Sequence, residues 1–156
     1  MMRKIARTML VGAALAAPAA PVEAGQYGDW FTNQHGGECG LMTVGAPEKL
    51  HVLFRSKDGN ETVTAMSASG SQWRGGSALS MKVDGDEVAT LPMLDLGAGE
   101  LVAKLPPSLL IAMTHGTMLH AEFWERGKQA PTMERDVSLF GFDRAVQAWR
   151  ACAKGG

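Results

Sequence analysis

"MTHGTMLH", residues 113–120, brings two thioethers and two imidazoles into one short stretch: Met113, His115, Met118 and His120. Soft sulfur and imidazole ligands suit copper, so a copper-handling protein could use this set. If the stretch is a helix end followed by a strand, Met118 and His120 share one strand face. Met113 and His115 then belong to the helix end and corner before it. The simpler reading has Met113 and Met118 filling core, as methionine commonly does, with the histidines at the surface.

Other residues invite other chemistry. "SGSQWRGG" (69–76) sets Trp73 and Arg74 on a glycine-rich loop. Trp and Arg are the residues most enriched in binding hot spots, so this pair is a candidate contact for a partner or a sugar. The competing reading folds Trp73 inward as a loop anchor. "DGD" (84–86) lacks the further spaced oxygen ligands of a calcium loop, and a turn is the better account. The chain has no GxSxG elbow, no HExxH and no phosphate-binding glycine loop. The expectation is a protein that is not an enzyme, with no catalytic residue and no cofactor.

Cys39 and Cys152 are the only cysteines. An even count in an exported chain reads as a disulfide. Two cysteines without a histidine cluster make a poor zinc site, and without a CxxC spacing nothing points to a reactive thiolate. A structural staple is therefore expected between the two ends of the domain.

Export is read from the first residues. Arg3, Lys4 and Arg7 precede an apolar, Ala-rich run from Met9 to Ala20, and Val22 and Ala24 occupy the small positions of a signal-peptidase site. Residues 1–24 are expected to be a cleaved signal peptide and 25–156 a single domain, periplasmic or secreted. Loss of Arg3, Lys4, Arg7 and Glu23 takes three of the 15 basic and one of the 16 acidic residues, leaving 12 and 15. That slight acidity, with no basic run, argues against nucleic acid. Peripheral contact with a membrane, and the oligomeric state, stay open.

The elements that would position these groups are mostly strands. "LHVLFRS" (50–56) and "ETVTAMSA" (61–68) flank the turn "KDGN", and "SALSMKVD" (77–84) and "EVATLPML" (87–94) flank "GD". Leu79, Met81 and Val83 alternate with Ser80, Lys82 and Asp84, so one face is buried and the other wet. "GTMLHAEFWE" (116–125) and "TMERDVSLF" (132–140) add two more strands. Six or seven short strands predict an antiparallel β-sandwich or barrel-like domain.

Two stretches depart from that rhythm. "PPSLLIAMTHG" (106–116) starts on prolines and stops on glycine, which predicts a short internal helix. In the closing segment Phe142, Ala145, Val146, Trp149 and Cys152 recur on one helical stripe. A C-terminal helix capping the sheet, pinned by Cys152, is predicted, with its stripe given to packing rather than binding.

Three stretches together resemble the invasion-associated locus B family of exported alphaproteobacterial proteins: "YGDW" (27–30), "SLLIAMTHGTMLHAEF" (108–123) and "VSLFGFDRAVQAW" (137–149). The resemblance covers both ends of the domain. It implies an exported β-sandwich-like domain with a C-terminal helix and an envelope role, tied in some members to host-cell association. It implies no enzymatic activity, cofactor or catalytic residue. Family members commonly carry more cysteines, near the GDW tryptophan and before the internal helix. Here those regions read "WFTNQ" and "MLDLGAGEL", so no family disulfide pattern carries over. The expected function is a non-catalytic envelope protein acting on an envelope or host protein. The alternatives are a periplasmic copper-binding protein and an inhibitor of a cell-wall enzyme.

Overall fold

The computed structural model describes residues 24–43, 50–67, 77–97 and 100–155. Residues 1–23 of the segment expected to be a signal peptide, and the loop of Trp73 and Arg74, lie outside them. Within them the chain is mainly β, in two antiparallel sheets that do not close into a barrel. The larger sheet has the order β1-β2-β3-β4-β5-β9-β8. Its strands are β1 (Gln26–Tyr27), β2 (Trp30–His35), β3 (Glu38–Thr43), β4 (Leu50–Lys57), β5 (Asn60–Ser67), β8 (Leu94–Gly97) and β9 (Glu100–Lys104). The smaller sheet has the order β11-β10-β6-β7, formed by β6 (Ala78–Val83), β7 (Asp86–Pro92), β10 (Met118–Trp124) and β11 (Met133–Ser138). Helix α1 is Pro107–His115 and helix α2 is Phe142–Gly155.

Local chemistry explains the hairpins. Asp58–Gly59 and Asp84–Gly85 both take positive φ at both positions, the backbone that a tight two-residue hairpin turn requires. The second turn therefore centres on Asp84–Gly85, one residue before the expected "GD". Gly36–Gly37 does the same between β2 and β3. Alternation does not mark these strands, because the second half of β2, Asn33–His35, is exposed and polar. "EVATLPML" is also not one strand. It breaks at Met93, which is 2% exposed and donates its N–H to Ser77 O at 2.9 Å. β7 and β8 on either side of that break belong to different sheets.

The two ends of the domain clasp each other. Asp29 N–H donates to Phe140 O (3.0 Å), and the Trp30 indole N–H donates to Ser138 O (2.9 Å). The "YGDW" and "VSLFGF" stretches thus meet in space. Gly141 has φ +83°, and a Cβ there would run into the Tyr27 carbonyl. Gly141→Ala is expected to cost more than the ~1–2 kcal/mol of a left-handed backbone alone. Urea denaturation checks this, and an unchanged midpoint would contradict the clasp.

Helix α2 packs on β1 to β4 of the larger sheet. All five stripe residues, Phe142, Ala145, Val146, Trp149 and Cys152, are buried. Phe142 stands edge-on to Trp30 with centroids 4.8 Å apart and lies 6.3 Å from Phe54. The Trp149 indole donates to Cys39 O at 2.8 Å. Cys39 and Cys152 are disulfide-bonded, with Cα atoms 6.1 Å apart. Helix α1 runs as expected, but Gly116 ends it for a different reason. Its backbone is extended (φ −90°), and a Cβ there would collide with Val83. Glycine is needed for space, not for a left-handed cap.

Candidate functional site

The copper set is split. Met113 is 1% exposed in the core, while Met118 is 43% exposed. His115 is exposed, with Nδ1 2.8 Å from Ile111 O at its own helix end. His120 lies on the outer face of β10 and is engaged by carboxylates. The structure thus leaves Met118 and His120 on one face, and corrects the expectation that Met118 fills core. Asp84 serves the turn, as expected: its carboxylate accepts from Thr117 Oγ1 (2.6 Å), Thr117 N–H (3.1 Å) and Met118 N–H (2.9 Å). Those bonds hold its pKa below the usual carboxylate value and tie the β6–β7 turn to the start of β10.

The densest chemistry in the described residues is a charged cluster on the outer face of the smaller sheet. Alternation along β10 sends Leu119, Ala121 and Phe123 to the core and Met118, His120, Glu122 and Trp124 to the opposite face, where Glu122 is itself buried, at 8% exposure. Register sets His120 between Lys82 and Asp136, and Glu122 between Ser80 and Glu134. Cross-strand neighbours on one face touch. His120 Nδ1 is 2.6 Å from Asp136 Oδ1, and its Nε2 is 3.2 Å from Glu122 Oε1. Lys82 Nζ is 2.6 Å from the same Glu122 oxygen, and the Trp124 indole donates to Glu122 Oε2 at 3.3 Å.

Both His120 nitrogens face carboxylates, and only the imidazolium donates from both. The Asp136 hydrogen bond is the main cause that raises the His120 pKa. The Lys82 hydrogen bond is the main cause that lowers the Glu122 pKa, and the same bond raises that of Lys82. His120, Glu122 and Glu134 each offer a ligand atom within 4.8 Å of the others, but Lys82 is already the cation at Glu122.

A pH dependence follows. The His120 pKa is raised above its usual 6.5, so its contribution is full below that value and lost as pH rises through the raised one. The Glu122 pKa is lowered below its usual 4.5, so its contribution is present above that value and lost as pH falls through the lowered one. Stability from the cluster should therefore be complete between those usual values and decline on the alkaline side of the His120 titration. His120→Gln should flatten that decline. An NMR titration placing His120 below 6.5 would contradict the assignment.

Much of this cluster was open to sequence reasoning. Alternation already placed Lys82 on a wet face, and "MLHAEFW" places His120, Glu122 and Trp124 together. The missing link was which strands are neighbours. β10 pairs with β6 across the intervening β7, β8, β9 and α1, a long-range pairing that no local signal reports.

No family model and no curated protein matches the sequence. Among solved structures, the chain is similar to the crystal structure of invasion associated protein b from Bartonella henselae. The two share 18% identity with a TM-score of 0.58, over 85% of this chain and 99% of that one. At that identity the likeness is one of fold.

Proposed function

We propose that this protein is an exported, disulfide-closed envelope domain of the invasion-associated locus B type, which acts by contact with another protein and not by catalysis. One observation carries the reading. The charged groups of the outer cluster satisfy one another, with Lys82 and Trp124 held by Glu122 and His120 held between Asp136 and Glu122. A catalytic group is instead aimed at where a substrate sits. The fold likeness and the resemblance of the end stretches support the same reading. The Cys39–Cys152 bond fits an oxidising compartment, and an inhibitor of a cell-wall enzyme is one form this function could take.

Affinity capture by the oxidised protein from envelope extract tests the reading. A discrete envelope protein, retained by wild type and lost on unfolding, is the expected result. Turnover of a cell-wall or ester substrate that disappears in His120→Gln would overturn it. Stoichiometric copper in the purified protein would favour the copper-handling alternative.

A further inference from the structure

The larger sheet is incomplete at one edge. β8 begins at Leu94, which pairs with Val102, so among the described residues β9 beyond Val102 has no strand on that side. Leu105 N–H donates to Glu61 O at 3.1 Å, on the β5 side. Antiparallel strands alternate the direction of their backbone groups, so the N–H and C=O of Lys104 point to the open side.

A cavity of about 560 Å³ lies at this notch, within the size range of ligand sites. Leu94, Val102, Leu105 and Pro107 line it with apolar surface, and Lys104 lines it as well. Leu94 is 69% exposed, so the β8 side of the notch presents an uncovered apolar side chain. A second cavity of about 350 Å³ shares Gly59 and Glu61 with the first and reaches Arg150 and Lys154. Glu61 is paired with Arg150 at 3.4 Å. Among the described residues, Lys104 and Lys154 are thus the cations of these two cavities with no carboxylate lining residue left to balance them.

We propose that this notch takes an extended acidic peptide, which adds as a short strand to the free edge of β9. The inference rests on the contact reading above and names the contact. The pleat fixes the pattern such a peptide needs. Lys104 shares a sheet face with Leu94, Val102 and Thr62, so the residue opposite Lys104 projects to the same face. A carboxylate there meets the ammonium. The residues on either side project to the other face, the side of the buried Ala103 and Leu105, so apolar side chains suit those positions. The N–H and C=O of Lys104 fix the register of such a peptide, and the side chains on either face of it supply selectivity, as in other strand additions. The sequence wanted is therefore alternating apolar and acidic.

The probe is an acetylated, amidated heptapeptide alternating valine and glutamate, with lysine in place of glutamate as control. Titration into 15N-labelled full-length domain, oxidised, should shift the amides of Leu94 and Ala103 to Leu105. The glutamate peptide should bind about tenfold more tightly than the control, a preference that added salt weakens. Lys104→Glu, at an exposed position, should reverse the preference without changing the rest of the spectrum. Shifts confined to the His120 face, equal binding of both peptides, or no shifts at all would overturn the site. Envelope-protein capture that survives unchanged in Lys104→Glu together with Leu94→Ser would also overturn it, while leaving the contact reading intact.

Discussion

Replacing Cys39 and Cys152 together by alanine is expected to destabilise the domain by about 2–5 kcal/mol, without changing its strand content. The bridge joins residues 113 apart in sequence. Chain-entropy reasoning assigns a closed loop of that order about 4.7 kcal/mol, and measured losses run somewhat lower. The bridge also fixes the last turn of α2, which as a terminal segment would otherwise fray. Both sulfurs sit in the core, at 1% and 4% exposure for their residues, so alanine leaves a small cavity and no unpaired hydroxyl. Urea denaturation of wild-type, reduced and double-alanine protein checks this. Reduced and double-alanine proteins should match each other. A loss under about 1 kcal/mol would mean that the unfolded chain is already compact or that the bridge adds little.

Trp149→Ala is the second large effect, at about 3–5 kcal/mol. The side chain is fully buried at the centre of the α2 stripe. Its loss removes packing between the helix and the larger sheet, and also the donor to Cys39 O. Trp149→Phe narrows the comparison, since it deletes the N–H while keeping one aromatic ring of the buried body. It should cost less, in the ~1–3 kcal/mol range of an unmade buried hydrogen bond. A Trp149→Ala protein with an unchanged melting temperature would contradict the packing assignment.

Those two results depend on elements that the sequence displayed directly. The stripe from Phe142 to Cys152 is readable because a helix repeats over a short span and the amphipathic face is clean. The Asp58–Gly59 turn is readable because positive φ at consecutive positions demands special residues. β1 to β3 were not readable by alternation. "ECGLMT" buries Cys39, Gly40 and Leu41 in succession, which erases the two-residue period. The break at Met93 was hidden for a related reason: an apolar run continues through it, while the chain leaves one sheet for the other. Periodicity reports which way a side chain faces and says nothing about which sheet it joins.

The same limit explains the site. His120 stood out in the sequence for its neighbours along the chain, Met113, His115 and Met118. In the fold its partners are Asp136 and Glu122, with Lys82 bound to the same carboxylate. They are contributed by β11, β10 and β6, and only the pairing of those strands assembles them. The notch beside Lys104 is less legible still, since it exists because β8 stops short of the end of β9. A strand end is a property of the register, and Leu94 reads in sequence as one more apolar residue.

The claim that this domain works by contact in the cell envelope is tested most directly by photo-cross-linking in intact cells. A photoreactive residue is placed at position 104, with position 147 on the outer side of α2 as the comparison. The account predicts a discrete adduct with one envelope protein at position 104 and none at position 147. Cytoplasmic recovery of the protein, or the absence of a protein adduct from both positions, would contradict it.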